Sequence, residues 1–273
     1  MKRLLFVICV LSMGSLARAQ TAPSLGTAAT FAVVGSAVTC TGPGVISGDV
    51  GATGAFTNTP VCTIAGGMPP ATNTAAGLAQ TALITAYQNA LVANNNCTGS
   101  LAAAPGANFT EPPGVYCADA ALTFSGITLT LDAGGNANAV WVFKIPAALT
   151  GTGFQVVMAN GGQPCNVYWL VGAGSTLSAS TFQGNILAGG ATGAFTSTGG
   201  TLIGRVLVNG AVTLTGPNIH GTCALAAQGG AGCKNDDDDR DHEGGDDHGE
   251  GKRHHKDHHD KDDKDHREGE KDH

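Results

Sequence analysis

Side chains able to perform catalysis are scarce between residues 20 and 233. The carboxylates of this region are Asp49, Glu111, Asp119 and Asp132. Glycoside hydrolysis would need two of them to face each other within about 5–10 Å, yet Asp49 and Asp132 stand in turn-like contexts that explain them structurally. His220 is the one histidine here and has no evident Ser or Cys partner. We therefore predict that the protein is not an enzyme and uses no cofactor.

Positive charge is equally rare in the same region, where Lys144 and Arg205 are the only Lys or Arg residues. The whole chain has a formal net charge of -7. Proteins that bind nucleic acid neutralise phosphates with several Lys and Arg side chains. The composition therefore excludes nucleic acid as a partner of this region.

Seven cysteines follow the first 19 residues, at positions 40, 62, 97, 117, 165, 223 and 233. In an exported protein they are most simply structural disulfides, with one thiol left over or pairing between chains. Bonds from Cys40 to Cys62 and from Cys97 to Cys117 would close local loops, but the sequence leaves the pairing open. The spacing of these cysteines is not typical of a zinc site.

Threonine is the residue type whose spacing suggests a binding surface. Four segments of the second half centre on a large apolar residue, at positions 149, 177, 195 and 214, and Thr128-Leu129-Thr130 resembles a fifth. The neighbours of an inward side chain in a strand point outward. These outward residues are Thr128, Thr130, Ala148, Thr150, Thr176, Ser178, Ala194, Thr196, Thr213 and Thr215. Stacked in register, they would form two uncharged columns on one flat face.

The elements that would position these rows are the coils of a β-solenoid. Successive centres lie 28, 18 and 19 residues apart, and the two shorter steps suit single coils. An inserted loop around residues 160–164 accounts for the longer step. The 41 glycines of the chain allow frequent turns, while apolar runs such as residues 139–143 and 167–171 exclude disorder. We predict a mainly β fold with one solenoid domain over residues 20–233.

One segment departs from this pattern and predicts a helix over about residues 73–95. Its apolar residues, from Ala75 to Leu91, recur at helical spacing, and Thr72 or Thr74 could cap its beginning. The apolar side of such a helix would pack along the solenoid as part of the core.

Residues 1–19 have the features of an export leader. Two basic residues precede an apolar run over residues 4–11, and Ala17-Arg18-Ala19 supplies the small-x-small pattern of a cleavage site. The apolar run is shorter than the roughly 20 residues that span a bilayer. We expect the mature chain to begin at about Gln20 and to be secreted or retained at the cell envelope, without membrane insertion.

The last part of the chain, residues 234–273, has a different composition. It contains nine Lys or Arg and 17 Asp or Glu, and it has no apolar side chain from Asn235 onward. Such a segment cannot bury a core, so we predict a disordered tail. Four of its histidines could bind Zn²⁺, Cu²⁺ or Ni²⁺ weakly, although a solvated spacing tail would have the same composition. They are His254, His255, His258 and His259.

Several segments, in this order and spacing, are typical of one family. They are residues 25–28, 31–33, 46–51, 113–116, 129–133, 139–143, 165–169, 182–188, 204–207 and 210–214. On these segments the chain resembles the DUF3494 family of bacterial and fungal ice-binding proteins, from about Leu25 to Ile219. The resemblance implies a right-handed, discontinuous β-helix of triangular cross-section with one long helix beside it. It also implies adsorption to ice through one flat β face.

Two functions fit these observations. In the first, the protein is exported and binds ice crystals through the Thr, Ser and Ala residues, inhibiting ice growth or recrystallisation. In the second, it is a cell-surface or matrix adhesion module that binds polysaccharide or protein, and the outward Thr residues are ordinary strand surface.

Overall fold

The computed structural model describes residues 20–59, 62–66 and 74–221 of the 273-residue chain. The leader expected over residues 1–19 and the tail expected over residues 234–273 lie outside the described residues. Within the described residues, no helix is both long and apolar enough to cross a membrane.

The strands form three parallel sheets, here called A, B and C, that enclose one hydrophobic core. In spatial order, sheet A contains β4 (Asp49–Ala52), β1 (Phe31–Gly35), β21 (Val206–Val208), β18 (Asn185–Ala188), β15 (Val167–Val171), β12 (Trp141–Ile145), β9 (Gly114–Cys117) and β7 (Gly99–Ser100). Sheet B contains β10 (Leu122–Ser125), β13 (Leu149–Thr152), β16 (Ser175–Ser178), β19 (Phe195–Thr198), β22 (Ala211–Thr215), β2 (Ala37–Thr41) and β5 (Phe56–Asn58). Sheet C contains β6 (Thr63–Ala65), β3 (Val45–Ser47), β23 (Asn218–His220), β20 (Thr201–Ile203), β17 (Thr181–Gln183), β14 (Gln155–Ala159), β11 (Thr128–Asp132) and β8 (Phe109–Glu111).

The coils do not stack in chain order. In sheet A, β1 lies between β4 and β21, so the first coil packs against the last one. In sheet B, β22 pairs with β2, and β2 pairs with β5. The first two coils therefore extend the stack that the second half of the chain forms, and the mainly β, discontinuous solenoid expected from the sequence is confirmed.

The long helix α1 (Thr74–Ala93) confirms the helix expected over residues 73–95. It connects β6, at one end of sheet C, to β7, at the opposite end of sheet A. Its buried side, which includes Leu83 and Tyr87, packs against the apolar outer side of sheet A. At its C-terminal end, Lys144 Nζ donates a hydrogen bond to Asn94 O at 3.0 Å. Sheet A is thereby covered, and its outer side is core rather than surface.

Stacked aromatic rings connect neighbouring coils inside the solenoid. The rings of Phe143 and Trp169 lie 4.0 Å apart, and those of Phe124 and Phe154 lie 4.3 Å apart. Trp169 Nε1 also donates a hydrogen bond to Gln183 O at 3.1 Å. Each such ring pair adds about 0.5–1.5 kcal/mol beyond simple burial. The coils are therefore packed tightly from within, which keeps their outer surfaces rigid.

A column of left-handed residues turns the chain from sheet B into sheet C. Gly126, Gly153, Gly199 and Gly216 have φ values of 62°, 58°, 63° and 58°. Glycine adopts this region at no steric cost, whereas a Cβ atom is crowded there. Ala179 occupies the same corner of its coil with a φ of 46°, so it carries backbone strain that its neighbours avoid.

Replacing Ala179 with glycine should raise the free energy of unfolding by about 0.5–1 kcal/mol. The relief of left-handed strain, about 1–2 kcal/mol, exceeds the extra entropy that glycine gives the unfolded chain, about 0.4–1 kcal/mol. Urea denaturation followed by circular dichroism measures the change. Gly199→Ala is the matched control: no heavy atom lies within 4 Å of a Cβ placed there, so it should destabilise through backbone conformation alone. An unchanged Ala179→Gly midpoint would contradict the assignment of strain.

The disulfide pairing that the sequence left open is resolved for two bonds. Cys40 is bonded to Cys62, and Cys97 is bonded to Cys117. Cys165 is also disulfide-bonded. The two local loops considered for the first four cysteines are therefore the ones that form.

Candidate functional site

The outer side of sheet B carries an unbroken column of threonines, here called the first column. Strand pairing places one threonine from each of the seven strands next to the threonine of the adjacent strand. In spatial order the column is Thr123, Thr150, Thr176, Thr196, Thr213, Thr39 and Thr57. All seven are exposed or half-buried. One residue type thus repeats at every coil along the whole face.

A second column of hydroxyl residues runs beside the first, two residues further along each strand. Its paired members are Ser125, Thr152, Ser178, Thr198, Thr215 and Thr41. Thr59 follows β5, and its N–H donates a hydrogen bond to Cys40 O at 3.0 Å. Hydroxyl groups of adjacent rows approach each other, since Thr41 Oγ1 and Thr215 Oγ1 lie 3.2 Å apart. We call the two columns, with Thr59, the threonine face.

The inner side of sheet B explains why these residues point outward. Leu122, Leu149, Phe195 and Leu214 are at most 1 % exposed and occupy the alternate strand positions. A strand places successive side chains on opposite sides. Burial of the apolar set in the core therefore fixes the Thr and Ser set at the surface.

Eight of the ten predicted surface residues border or belong to this face, but the columns differ from the predicted ones. Alignment of the apolar centres Leu149 and Leu177 would place Thr150 beside Ser178. In the structure Thr150 pairs with Thr176, because Leu149 is in register with Ser175. The predicted alignment was therefore wrong by two residues. A shift of two residues leaves each side chain on the same side of the sheet but moves it into the other column. Ala148 and Ala194 lie two residues before Thr150 and Thr196. They border the first column and do not interrupt it.

The prediction that Thr128 and Thr130 form a fifth row of the same face was wrong. Both residues belong to β11, which pairs with β8 and β14 in sheet C. The turn at Gly126 separates them from sheet B. The row that does belong to this coil is supplied by Thr123 and Ser125, each five residues before its predicted counterpart.

Sequence reasoning also missed several members of the threonine face. They are Thr39, Thr41, Thr57, Thr59, Thr123, Ser125, Thr152 and Thr198. The available signal was a repeated Thr-x-Thr or Thr-x-Ser motif, which occurs once in each of the seven rows. Searching for the hydroxyl pair itself, instead of for the apolar residue beside it, would have included every row, together with pairs such as Thr128 and Thr130 that lie on another sheet.

Sheet C presents a less regular surface. On its outer side Thr130 pairs with Val157, and Ile203 pairs with the buried Gln183 on one side and with His220 on the other, so neighbouring side chains differ in size and polarity. Asp132, at the end of β11, accepts hydrogen bonds from Gly134 N–H at 2.8 Å and Asn160 Nδ2 at 2.7 Å. Both bonds lower the pKa of the Asp132 carboxyl, and the bond from Gly134 has the larger effect. The strands of sheet B, by contrast, contain no charged residue.

The described residues offer little that could hold a metal ion. Among residues 20–59, 62–66 and 74–221, no group of three or more His, Cys, Asp and Glu side chains is placed to bind one. The Tyr116 hydroxyl of β9 in sheet A is also engaged, since it donates a hydrogen bond to Pro112 O at 2.6 Å. Burial, together with the neighbouring Glu111, raises the pKa of this hydroxyl.

The chain is similar to known proteins over most of its body. The family model described as ice-binding-like matches residues 32–220. An ice-binding protein of Nostoc sp. (strain HG1) is 35% identical over 240 residues, which cover 82% of this chain and 84% of that protein.

Two crystal structures of ice-binding proteins have the same fold. The protein of the Antarctic ascomycete Antarctomyces psychrotrophicus is 32% identical, with a TM-score of 0.64 over 73% of this chain and 98% of its own. A protein from an Antarctic biological consortium is 31% identical, with a TM-score of 0.66 over 74% of this chain and 91% of its own. The family model and the Nostoc relative each cover well over half of the chain, and the chain therefore belongs to the ice-binding-like family.

Proposed function

We propose that the protein adsorbs to ice through the threonine face and thereby inhibits ice growth or recrystallisation. The observation that carries the proposal is the first column, in which seven strands in register each present a threonine. Family membership supports the proposal, because the similar proteins from Nostoc and Antarctomyces are named ice-binding proteins.

The geometry of the face suits a crystalline surface. Neighbouring strands of a sheet lie about 4.8 Å apart, and residues two apart in a strand lie about 6.6 Å apart. The two columns therefore form a regular lattice of hydroxyl and methyl groups, as a repeating ice plane would require. A heterogeneous partner such as a folded protein would not call for one residue type at every coil.

Adsorption must come from many weak contacts made together. One hydroxyl hydrogen bond contributes only about 0.5–1.5 kcal/mol net, because liquid water competes for it. Threonine is suited to this task, since its β-branch restricts χ1 and little side-chain freedom is lost on docking. The tightly packed core below the face holds the rows in place, and the absence of charge leaves the water layer free to order.

Incorporation into ice tests the proposal directly. The full mature chain, carrying a fluorescent label, should enter a slowly growing ice hemisphere, whereas a labelled globular protein of similar size should be excluded. Exclusion of the full chain would overturn the proposal. It would favour the second function, an adhesion module that binds polysaccharide or protein.

We further propose that the function is binding without catalysis. The regular surface of sheet B, and not a cluster of ionisable groups, is what repeats along the molecule. His220 lies on the outer side of sheet C in β23, and Asp132 is held by Gly134 and Asn160. The two hydrogen bonds give Asp132 a structural role in its turn.

We also propose that the chain is exported, as the basic residues, apolar run and small-x-small pattern of residues 1–19 indicate. Removal of residues 1–19 would leave Gln20 as the first residue. Thr21 is already held at the end of α1, where its N–H donates to Asn94 Oδ1 at 3.2 Å and its carbonyl accepts from Asn94 Nδ2 at 3.1 Å. The intact mass of protein recovered from the medium or the cell envelope should match a chain that starts at Gln20.

For the tail we propose weak binding of Zn²⁺, Cu²⁺ or Ni²⁺ by clustered histidines. Adjacent imidazoles interleaved with carboxylates are suitable ligands for these ions. Calorimetric titration of the full chain with Ni²⁺ should show uptake that is lost when the four histidines are replaced together by alanine. They are His254, His255, His258 and His259. Equal uptake by the two chains would leave the tail with a solubilising or spacing role.

A further inference from the structure

The last two rows of the threonine face are built differently from the others. They come from β2 and β5, in the N-terminal part of the chain, whereas the other five rows come from residues 122–215. β5 has only three residues and is the end strand of sheet B, with β2 as its single neighbour in that sheet. Strands at the end of a sheet open most easily, so this row depends on what holds it to β2.

A disulfide joins these two rows from below. Cys40 lies in β2 between Thr39 and Thr41, points into the core and is 0% exposed. It is bonded to Cys62, which follows β5 and is 2% exposed. The bond therefore connects β2, which supplies the sixth row of the face, to the segment that follows β5, which supplies the seventh.

Hydrogen bonds from Asn58 lock the same segment. Cys62 N–H donates to Asn58 Oδ1 at 2.6 Å, and Asn58 Nδ2 donates to Cys62 O at 3.1 Å. Immediately after, Thr63 N–H donates to Gly44 O at 2.9 Å. Asn58 and the disulfide thus both hold Cys62 close to β2 and β5, at the end of the face.

We propose that Cys40, Cys62 and Asn58 are positioning residues for ice binding. They hold the end rows, with Thr39, Thr57 and their second-column neighbours, in the plane of the other five. This inference rests on the proposed function of the threonine face. Its physical basis is that adsorption sums many weak contacts, so rows that fray out of the plane stop contributing to it.

The second disulfide provides a matched control. Cys97 and Cys117 enclose a sequence separation of 20 residues, against 22 for Cys40 and Cys62. Loss of either bond should therefore increase the entropy of the unfolded chain by a similar amount. Cys117 belongs to β9 in sheet A, so its bond does not join rows of sheet B.

The experiment compares two double variants of the full chain, Cys40→Ala/Cys62→Ala and Cys97→Ala/Cys117→Ala. Thermal unfolding should show similar decreases in melting temperature. Ice recrystallisation inhibition, measured just below 0 °C where both remain folded, should fall about tenfold in the first variant only, as the loss of about two hydroxyl contacts would give. Equal activity of the two variants would overturn the inference, while an inactive wild type would instead refute the proposed function.

Asn58→Ala provides a second test that keeps both disulfides. It removes the two hydrogen bonds to Cys62 and leaves every residue of the threonine face in place. We expect a several-fold loss of recrystallisation inhibition with little change in melting temperature. If Cys40→Ala/Cys62→Ala fails to fold, unchanged activity of Asn58→Ala would be enough to reject the inference.

Discussion

Inhibition of ice recrystallisation should fall at least about tenfold when Thr196 is replaced by tyrosine, because losing two or more hydroxyl contacts of about 0.5–1.5 kcal/mol each has that effect. Thr196 lies in the fourth of seven rows, paired with Thr176 on one side and Thr213 on the other. A tyrosine there would stand above the plane and keep both neighbouring rows from the ice surface. The measurement is the protein concentration needed to halve the growth of ice grains in a sucrose film.

Thr181→Tyr is the control for that variant. Thr181 is an exposed residue of β17 in sheet C, in register with Thr201. The substitution is therefore chemically identical and falls on another face of the same solenoid. Activity should be retained, and equal losses in the two variants would show that the threonine face is not the adsorbing surface. Both variants should unfold within a few degrees of the wild type, since neither side chain supports the core.

The largest loss of stability should come from Trp169→Ala. Trp169 is 0% exposed, stacks on Phe143 and contacts Phe154 and Phe182 edge-on or tilted. Its removal leaves a cavity between coils and should lower the free energy of unfolding by about 3–5 kcal/mol. For a domain of this size that corresponds to a decrease in melting temperature of roughly 10 °C.

Trp169→Phe separates the ring from its hydrogen bond. Phenylalanine retains a stacked ring beside Phe143 but loses the bond from Trp169 Nε1 to Gln183 O. We expect a smaller loss, about 1–2 kcal/mol, which circular dichroism during heating would resolve. If Trp169→Ala melted within two degrees of the wild type, the aromatic stack could not be what holds the coils together.

Much of the fold could be predicted because local patterns determine it. The helical spacing over residues 75–91 differs clearly from the alternation around it, and α1 begins and ends within two residues of the expected bounds. The repeated apolar strands of the second half likewise indicated a solenoid. The continuous apolar run at residues 167–171 is also typical of a strand that is covered on both sides, and β15 is buried throughout.

The composition of the face was harder to predict than the fold. Leu149 and Leu177 look equivalent in sequence, yet Leu149 pairs with Ser175, because each coil reaches its corner after a different number of residues. Thr128-Leu129-Thr130 matches the motif of the face perfectly and lies on sheet C. Only the positions of the glycine corners distinguish such rows, and these become clear once all coils are aligned.

The two N-terminal rows could not be placed from sequence at all. The pairing of β2 with β22 joins residues more than 170 positions apart, and no local pattern indicates which strand lies at the end of the stack. Resemblance to the family implied a discontinuous solenoid without identifying the residues at its junction. The Thr-x-Thr motifs at residues 39–41 and 57–59 acquire meaning only when that junction is known.

The docking of the first coil on the last one affects how the molecule must be made. β1, β2 and β3 leave the ribosome early, but the strands they pair with, β21, β22 and β23, come near the end of the described chain. The early segment cannot complete its sheets during synthesis, unlike the repeats of a simple array that fold in order. Long-range pairing of this kind slows folding. The first three strands must therefore wait for the last three before either end of the solenoid can close, so completion of the chain and completion of the fold are coupled.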